Sequence, residues 1–290
     1  MGIHKWIDQM SMGLAGKITK KKYFSDEAQS PSIKEWLEEA ELIAFPDIDG
    51  EGNYPVAFKK ENENLEGAFI VEQWLGNEYP TIIYHHGAAE GSYDFSFNRI
   101  LKKGKDKIAA NLIAIQALFN HNNKEFMESI TRLSNYCFML ATSALMVEEL
   151  VKQLRTKGSR RILVTGTSLG GVVTNIHFTY FNTADRYRPM LAGAKVGEVY
   201  ITSAYAKVAS EKGKSQPKNL RRALNFEEDM RGKDQENLAA LMAKYDQLIQ
   251  FDVQKGAYDP ARITAIPYGH VTGATRFAQL REHILDGLED

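Results

Sequence analysis

The sequence predicts an α/β protein built on a mostly parallel sheet of about eight strands, with helices on both faces. Short apolar runs alternate along the chain with longer stretches of helical periodicity, which is the pattern of strands joined by crossover helices. No internal repeat or low-complexity tract interrupts this alternation. The 290 residues, 43% of them hydrophobic, are enough to bury a sizeable core.

The charge and cysteine content exclude several classes of protein. The net charge is only -1, so we expect no overall positive field for phosphates and no nucleic-acid partner. The one cysteine, Cys137, rules out an intrachain disulfide framework and a cysteine-built zinc site, and its apolar neighbours predict a buried thiol. No run of about 20 apolar residues is present, so we expect no stable membrane insertion. The N-terminal segment lacks the apolar region of a Sec signal peptide, which makes the cytoplasm the expected location.

The elements divide the chain into a helical N-terminal extension, residues 1–41, and an α/β domain, residues 42–290. The domain begins with two short strands, at 42–45 and 68–71, which we expect to form an antiparallel entry to the sheet. The elements expected after them are strands at 81–84, 111–115 and 161–165, a helical region at 124–156, weaker strands at 196–201 and 222–226, a helix over 238–249, a last strand at 262–266 and a last helix at 274–288. The loops that follow parallel strands share one edge of the sheet, and chemistry is expected there.

The first candidate site lies after the strand at 161–165, where the chain reads Gly166-Thr167-Ser168-Leu169-Gly170. A tight turn from a strand into a helix exposes the side chain of its central serine and crowds the positions on either side of it. The two glycines remove the side chains that would clash there, while the serine itself is held in a strained conformation. We therefore interpret Ser168 as a nucleophile; the alternative is a glycine-rich turn whose serine only caps the helix.

A nucleophilic serine needs a base, and the base needs an acid to orient it. Of the seven histidines, His270 follows the last strand, at the sheet edge where Ser168 is expected. The acid is expected in the loop after the penultimate strand, which we place at 222–226. Asp229 is the candidate because it is third in that turn; Glu227 and Glu228 are alternatives, and an acidic solvated turn without function is another.

The loop after the strand at 81–84 supplies candidates for binding an oxyanion. One backbone N–H group is expected from Leu169 at the start of the helix, and a second from Ala88. Gly87 lets the backbone curve towards the site, and Ala89 is the alternative donor. His85 and His86 are expected to brace this loop and not to hold a metal ion, because adjacent side chains of an extended segment point to opposite faces.

Aromatic residues follow this loop. Tyr93 and Phe95 are candidates for lining a substrate pocket, and packing onto the sheet is the equally weighted alternative.

This combination of motifs resembles the α/β-hydrolase superfamily over roughly residues 42–290. The resemblance rests on the order Ser168, Asp229, His270, on the Gly-x-Ser-x-Gly turn and on His-Gly after an earlier strand. It implies an eight-stranded sheet and Ser-His-acid acyl chemistry without a cofactor. Two departures stand out: only about 20 residues lie between 201 and 220, which leaves room for a minimal cap, and the turn of the acid lacks the usual glycine.

The resemblance implies a serine hydrolase that cleaves a carboxylic ester or a related acyl bond of a small molecule. Acyltransferases, thioesterases and peptidases use the same residues, so the fold cannot choose between them. A non-catalytic binding protein on the same scaffold is the alternative from a different class. Reaction of Ser168 with a serine-directed phosphonate distinguishes the enzyme from the binding protein.

Overall fold

The computed structural model describes residues 2–18, 21–88, 90, 92–103, 108–159 and 161–289. Over these residues, nine strands form one mixed sheet. The strands are β1 Glu41–Ala44, β2 Gly52–Lys60, β3 Glu63–Gln73, β4 Thr81–His85, β5 Asn111–Gln116, β6 Ile162–Thr167, β7 Arg186–Met190, β8 Ala240–Ala243 and β9 Ile263–Ile266.

Helices lie around this sheet. The α-helices are α1 Gly2–Ile18, α2 Ile33–Glu39, α3 Phe95–Phe97, α4 Asn123–Ser129, α5 Leu133–Thr156, α6 Leu169–Tyr180, α7 Val196–Ile201, α8 Glu211–Lys214, α9 Pro217–Leu224, α10 Glu227–Arg231, α11 Phe251–Gln254, α12 His270–Ala274 and α13 Phe277–Glu289. A π-helical segment, Asn98–Lys102, follows α3, and short 3-10 segments lie at Ala204–Lys207, Lys255–Ala257 and Pro260–Arg262.

The strand order is β1-β2-β3-β5-β4-β6-β7-β8-β9. The strands from β1 to β3 pair antiparallel, and β3 joins β5 in the same sense. All pairs from β5 across to β9 are parallel. The predicted α/β class is therefore confirmed, with nine strands in place of about eight. The antiparallel entry contains three strands, because β2, which the sequence did not indicate, lies between the two expected strands.

The register of the sheet positions the loops at its carboxyl edge. His85 at the end of β4 is opposite Gly166 of β6, so the loops after these two strands leave the sheet side by side. Ala243 of β8 is likewise opposite Ile266 of β9. Four loops thus meet at one edge, as expected for parallel strands.

The largest hydrophobic core lies between the sheet and helices α2, α5 and α6. Most of α5 is buried, and its Cys137 is inaccessible to solvent as its apolar neighbours predict. Trp36 of α2 meets Phe138 edge to face with ring centroids 5.0 Å apart. Residues preceding position 41 therefore contribute to this core; the division of the chain at that position stays a prediction.

Three predicted elements differ in the structure. Residues 196–201 and most of 222–226 are helical, in α7 and α9, and the expected helix over 238–249 contains β8. All four residues of β8 are buried. The apolar residues around this strand nevertheless have helical spacing; they are Leu238, Leu241, Met242, Tyr245, Leu248 and Ile249. A strand buried on both faces shows no alternation, so its periodicity does not distinguish it from a helix.

The connection that could carry a cap is longer than the sequence predicts, because residues 196–201 and most of 222–226 are not strands. The connection between β7 and β8 runs over residues 191–239 and carries α7, α8, α9 and α10. The stretch of about 20 residues between 201 and 220 is only part of this connection. Positions 201 and 220 lie in helices within the connection and not in strands that flank it.

Candidate active site

Ser168 lies between the end of β6 and the start of α6, with backbone angles φ 57° and ψ -110°. Positive φ is strained for a residue other than glycine and costs of order 1–3 kcal/mol. The two neighbouring glycines make the turn possible. A Cβ on Gly166 would lie 2.5 Å from the carbonyl carbon of Gly170, and one on Gly170 would lie 2.0 Å from the backbone oxygen of His85.

His270, the first residue of α12, contacts the serine side chain. Its Nε2 lies 3.0 Å from Ser168 Oγ, and its Nδ1 lies 2.7 Å from Asp246 Oδ2. Asp246 follows β8 and is only 3% exposed. Its Oδ1 accepts hydrogen bonds from the backbone N–H groups of Leu248 and Ile249, both at 2.7 Å. The carboxylate is thereby held against the imidazole, and the imidazole against the hydroxyl.

The surroundings of His270 shift the pKa of its imidazole upward. Burial on its own would lower the pKa of His270, but the adjacent Asp246 carboxylate raises it above its ordinary value. Burial raises the pKa of Asp246, against the opposing effects of His270 and the two backbone N–H donors. A carboxylate next to a histidine stabilises the imidazolium that forms when the ring accepts a proton.

The acid predicted at Asp229 is corrected by this geometry. Asp229 lies in α10, where its Oδ2 accepts a hydrogen bond of 2.9 Å from the Tyr180 hydroxyl. Tyr180 is the last residue of α6, and Ser168 directly precedes the first residue of that helix. About 18 Å along the helix therefore separates Tyr180 from Ser168. The alternative Glu227 lies in the same helix, 3.9 Å from Lys195 Nζ. Glu228 also lies in α10, so the carboxylate that meets His270 belongs to none of the predicted residues.

The sequence before Asp246 does contain the pattern of a short strand followed by an acidic loop residue. The apolar run at 240–243 is four residues long and is followed three positions later by an aspartate. That is the spacing of a strand and a loop acid. The helical periodicity around this run conceals the strand, so the sequence pattern places the expected acid in the loop after 222–226.

The loop after β4 is braced by His86. Burial lowers the pKa of His86 to about 4, so the ring is neutral near pH 7. Its Nδ1 lies 2.8 Å from the Gly87 carbonyl oxygen, and its Nε2 accepts a 3.2 Å hydrogen bond from the Ala117 N–H group. The Gly87 carbonyl and the Ala88 N–H group belong to one planar trans peptide and point in opposite directions. His86 therefore fixes the direction of the Ala88 N–H group.

Two cavities meet at Ser168. The first has a volume of about 30 Å³, and the residues that line it are Ala88, Tyr136, Ser168, Leu169, Val172, Val196, Val199, Tyr200, Tyr205, Leu248, Ile249 and His270. The second, of about 480 Å³, is wider and is lined by Gly87, Ala88, Glu90, Phe95, Ser96, Arg99, Thr167, Ser168, His270, Val271, Ala274, Thr275 and Phe277. A separate hollow of about 910 Å³ contains neither Ser168 nor His270.

Some of the predicted substrate-contacting residues line these cavities and others do not. Gly87, Ala88 and Phe95 line the wide cavity. The Tyr93 hydroxyl instead donates a hydrogen bond to Glu72, and its side chain packs against a second, smaller cluster of buried residues that includes Ile82 and Tyr84. Ala89 lies outside the described residues. The sequence did not indicate the tyrosines and valines of the small cavity, because they come from three separate places: α5, α6 and the connection after β7.

Within the described ranges, no three His, Cys, Asp or Glu side chains are grouped so that they could hold a metal ion. In that same part of the chain, none of the helices is both long enough and apolar enough to cross a membrane.

Comparison with known proteins gives a likeness in structure only. No family model and no curated protein matches the sequence. A solved structure of Pyrococcus horikoshii acylaminoacyl peptidase superposes with a TM-score of 0.55 at 16% identity, over 83% of this chain and 42% of that one. Est1E from Butyrivibrio proteoclasticus, bound to ferulic acid, gives 0.58 at 12% identity, over 81% and 99%. MGS-M2, an alpha/beta hydrolase enzyme from a Medee basin deep-sea metagenome library, gives 0.55 at 12% identity, over 81% and 97%.

These superpositions show that the chain has the α/β-hydrolase fold. The chain spans about two fifths of the length of the acylaminoacyl peptidase and almost the full length of the two other proteins.

The turn at Ser168 gives a prediction about stability. Gly170→Ala should lower the free energy of unfolding by about 1–3 kcal/mol or more, because its Cβ would overlap the His85 backbone oxygen. Gly256→Ala is the matched control, since a Cβ at Gly256 has no atom within 4 Å. Urea denaturation of both variants measures the difference. Equal stability of the two variants would contradict the close approach of α6 to β4.

Proposed function

We propose that this protein is a serine hydrolase that cleaves a carboxylic ester of a small molecule. Ser168 is the nucleophile, His270 the general base and Asp246 the acid that orients the base. The observation that carries the proposal is the continuous hydrogen-bond chain from Asp246 Oδ2 through both nitrogens of His270 to Ser168 Oγ. Nothing in this chemistry requires a cofactor.

The first half of the reaction acylates the serine. His270 Nε2 takes the proton of Ser168 Oγ as the oxygen attacks the ester carbonyl carbon. The carbonyl oxygen becomes an oxyanion in the tetrahedral intermediate. When the intermediate collapses, the bond to the alcohol oxygen breaks and the proton on Nε2 goes to that oxygen.

Two backbone N–H groups are placed to bind the oxyanion. Leu169 is the first residue of α6, so its N–H group has no acceptor within the helix, and the Ser168 side chain does not cap it. The Ala88 N–H group is directed by the bond between His86 and the Gly87 carbonyl. Both residues line the small cavity beside Ser168. The positive end of the α6 dipole adds to the stabilisation of a negative oxygen.

The second half releases the acyl group. A water molecule takes the place of the alcohol, and His270 Nε2 accepts one of its protons as it attacks the acyl carbon. Collapse of the second tetrahedral intermediate returns the proton from Nε2 to Ser168 Oγ and leaves a carboxylic acid. The protein ends with the protonation state in which it began.

The two cavities restrict the shape of the ester. A volume of about 30 Å³ holds little more than one or two water-sized groups, whereas the wide cavity holds a much larger one. Because Ser168 lies where they meet, one substituent of the ester must be small and the other can be long. Residues of α7 and of the segment that follows it wall the small cavity.

The corrected acid gives the most specific kinetic prediction. Asp246→Asn should preserve the shape of the site but favour the wrong histidine tautomer, which lowers kcat by up to about 10⁴. Asp229→Asn is the matched control and should retain wild-type kcat, because the Asp229 carboxylate accepts a hydrogen bond from Tyr180 at the far end of α6. Steady-state hydrolysis of an activated ester by both variants checks this. Loss of activity in Asp229→Asn together with full activity in Asp246→Asn would show that the acid that orients His270 lies in α10.

The pKa of His270 sets the expected pH dependence. Only the neutral imidazole can accept a proton from Ser168, so kcat/KM should rise as the pH rises through the pKa of the ring. Because Asp246 raises that pKa, the midpoint should lie above the ordinary value of about 6.5. A pH–rate profile of the wild type measures the midpoint. A profile that falls over the same range would show that the protonated ring is the active form.

Isomeric esters test the shape of the site at constant composition and hydrophobicity. Hexyl acetate and ethyl hexanoate each have one small substituent, whereas butyl butyrate has two of intermediate size. We expect the better of the first two to exceed butyl butyrate in kcat/KM by about tenfold or more, since one surplus methylene in a closed pocket can cost that much. Equal turnover of all three would show that the small cavity does not restrict the substrate.

A further inference from the structure

The N-terminal helix α1 carries a buried carboxylate that the proposed mechanism does not use. Asp8 lies within α1 and has no exposed surface. Within the described residues no basic side chain forms an ion pair with it. Its negative charge is compensated by backbone N–H groups instead, and these belong to the two loops that carry Asp246 and His270.

Three hydrogen bonds join Asp8 to those loops. Its Oδ2 accepts from the N–H group of His270 at 2.8 Å and from that of Gln247, the residue after Asp246, at 3.0 Å. Its Oδ1 accepts from the N–H group of Val271 at 3.0 Å. The His270 and Val271 N–H groups are the first two of α12 and have no acceptor within that helix. One carboxylate thus holds the backbone of the base and the backbone next to its acid.

The packing of α1 around this contact is close and specific. A Cβ on Gly269 would lie 2.7 Å from Asp8 Oδ2 and 2.9 Å from the backbone oxygen of His4, so the helix approaches the loop where no side chain fits. His4 Nδ1 lies 3.0 Å from Thr272 Oγ1. The His4 ring also meets Tyr268 edge to face, with centroids 5.4 Å apart.

We propose that Asp8 is a positioning residue of the hydrolytic site, which sets the distance between His270 and Asp246 by holding both of their loops. This inference rests on the proposed function. A displacement of about 1 Å in a catalytic group can lower the rate by about 10². Glu90 and Arg99 line the wide cavity together with His270. The two charged groups that hydrogen-bond to His270 are Asp246, from the loop after β8, and Asp8, from α1. Both are carboxylates, so both stabilise the imidazolium that forms during the reaction.

A purely structural role would be to anchor α1 to the domain, and a control separates the two roles. Lys207 Nζ donates a 3.2 Å hydrogen bond to the Gln9 backbone oxygen, which also anchors α1. Among the described residues, the Lys207 side chain forms no hydrogen bond to the loop of Asp246 or to that of His270. Lys207→Met therefore weakens the same helix without changing the loops of the base and the acid. Asp8→Asn keeps the side-chain volume and one oxygen acceptor but removes the charge and the second acceptor.

The experiment measures ester hydrolysis by the full-length chain in three forms: wild type, Asp8→Asn and Lys207→Met. For Asp8→Asn we expect kcat to fall about tenfold or more with KM within about twofold of wild type. The midpoint of the pH–rate profile should also move to lower pH, since a carboxylate that favours the imidazolium is lost. Lys207→Met should match the wild type in kcat and in its pH profile, even where its melting temperature falls.

A second readout does not depend on turnover. Titration of the His270 ring by NMR, with its signal identified by loss in His270→Gln, should show a lower imidazole pKa in Asp8→Asn than in Lys207→Met. If Asp8→Asn does not fold, Asp8→Ser gives the same comparison, because its hydroxyl retains one acceptor without the charge.

The outcomes separate the two claims. An unchanged His270 titration and an unchanged kcat in Asp8→Asn would overturn the positioning role, as would equal changes in Lys207→Met. A wild-type protein that hydrolyses no ester would contradict the proposed function, while the NMR titration would still decide whether Asp8 controls His270.

Discussion

The left-handed backbone conformation of Ser168 is the constraint on which the rest of the site depends. A non-glycine residue with positive φ persists only where the surrounding structure holds it in place. Here α6 begins immediately after β6, so close to β4 that the positions of Gly166 and Gly170 admit no side chain. The same approach places the start of α6 beside the loop that follows β4. The positions of Ser168 and of the two proposed oxyanion donors thus depend on one tight turn.

Sheet register then brings the other groups to that turn. The loops after β8 and β9 leave the sheet together, and they carry Asp246 and His270 to the side of Ser168 opposite the loop after β4. The connection after β7 adds the apolar wall of the small cavity. Helix α1 lies against the loops of Asp246 and His270, so a segment outside the predicted α/β domain takes part in the geometry of the candidate site.

The parts of the structure that were predictable from the sequence are those specified by local patterns. The apolar runs at β4, β5 and β6 and the glycine spacing around Ser168 each reflect a local requirement, and His270 follows from its position after the last strand. The strand β7 was not predicted, because Arg186, Arg188 and Pro189 conceal its pattern. Proline within a central strand is unusual, since it cannot donate to the ladder.

The remaining parts depend on tertiary structure that no local pattern specifies. The sequence does not single out Asp246, because β8 is buried on both faces and its pattern does not distinguish a strand from a helix. The contact between Asp8 and His270 joins residues 262 positions apart and has no signature in the spacing of either. The small cavity has the same character, because its walls come from separate helices.

Reaction with a fluorophosphonate tests the central claim most directly, because this probe requires a serine activated by a base and an oxyanion site, and it does not require the natural substrate. Mass spectrometry of the labelled protein should show one adduct, located on Ser168 and absent from Ser168→Ala. An unlabelled wild-type protein, or a label on any other residue that persists in Ser168→Ala, would contradict the assignment of Ser168 as the nucleophile.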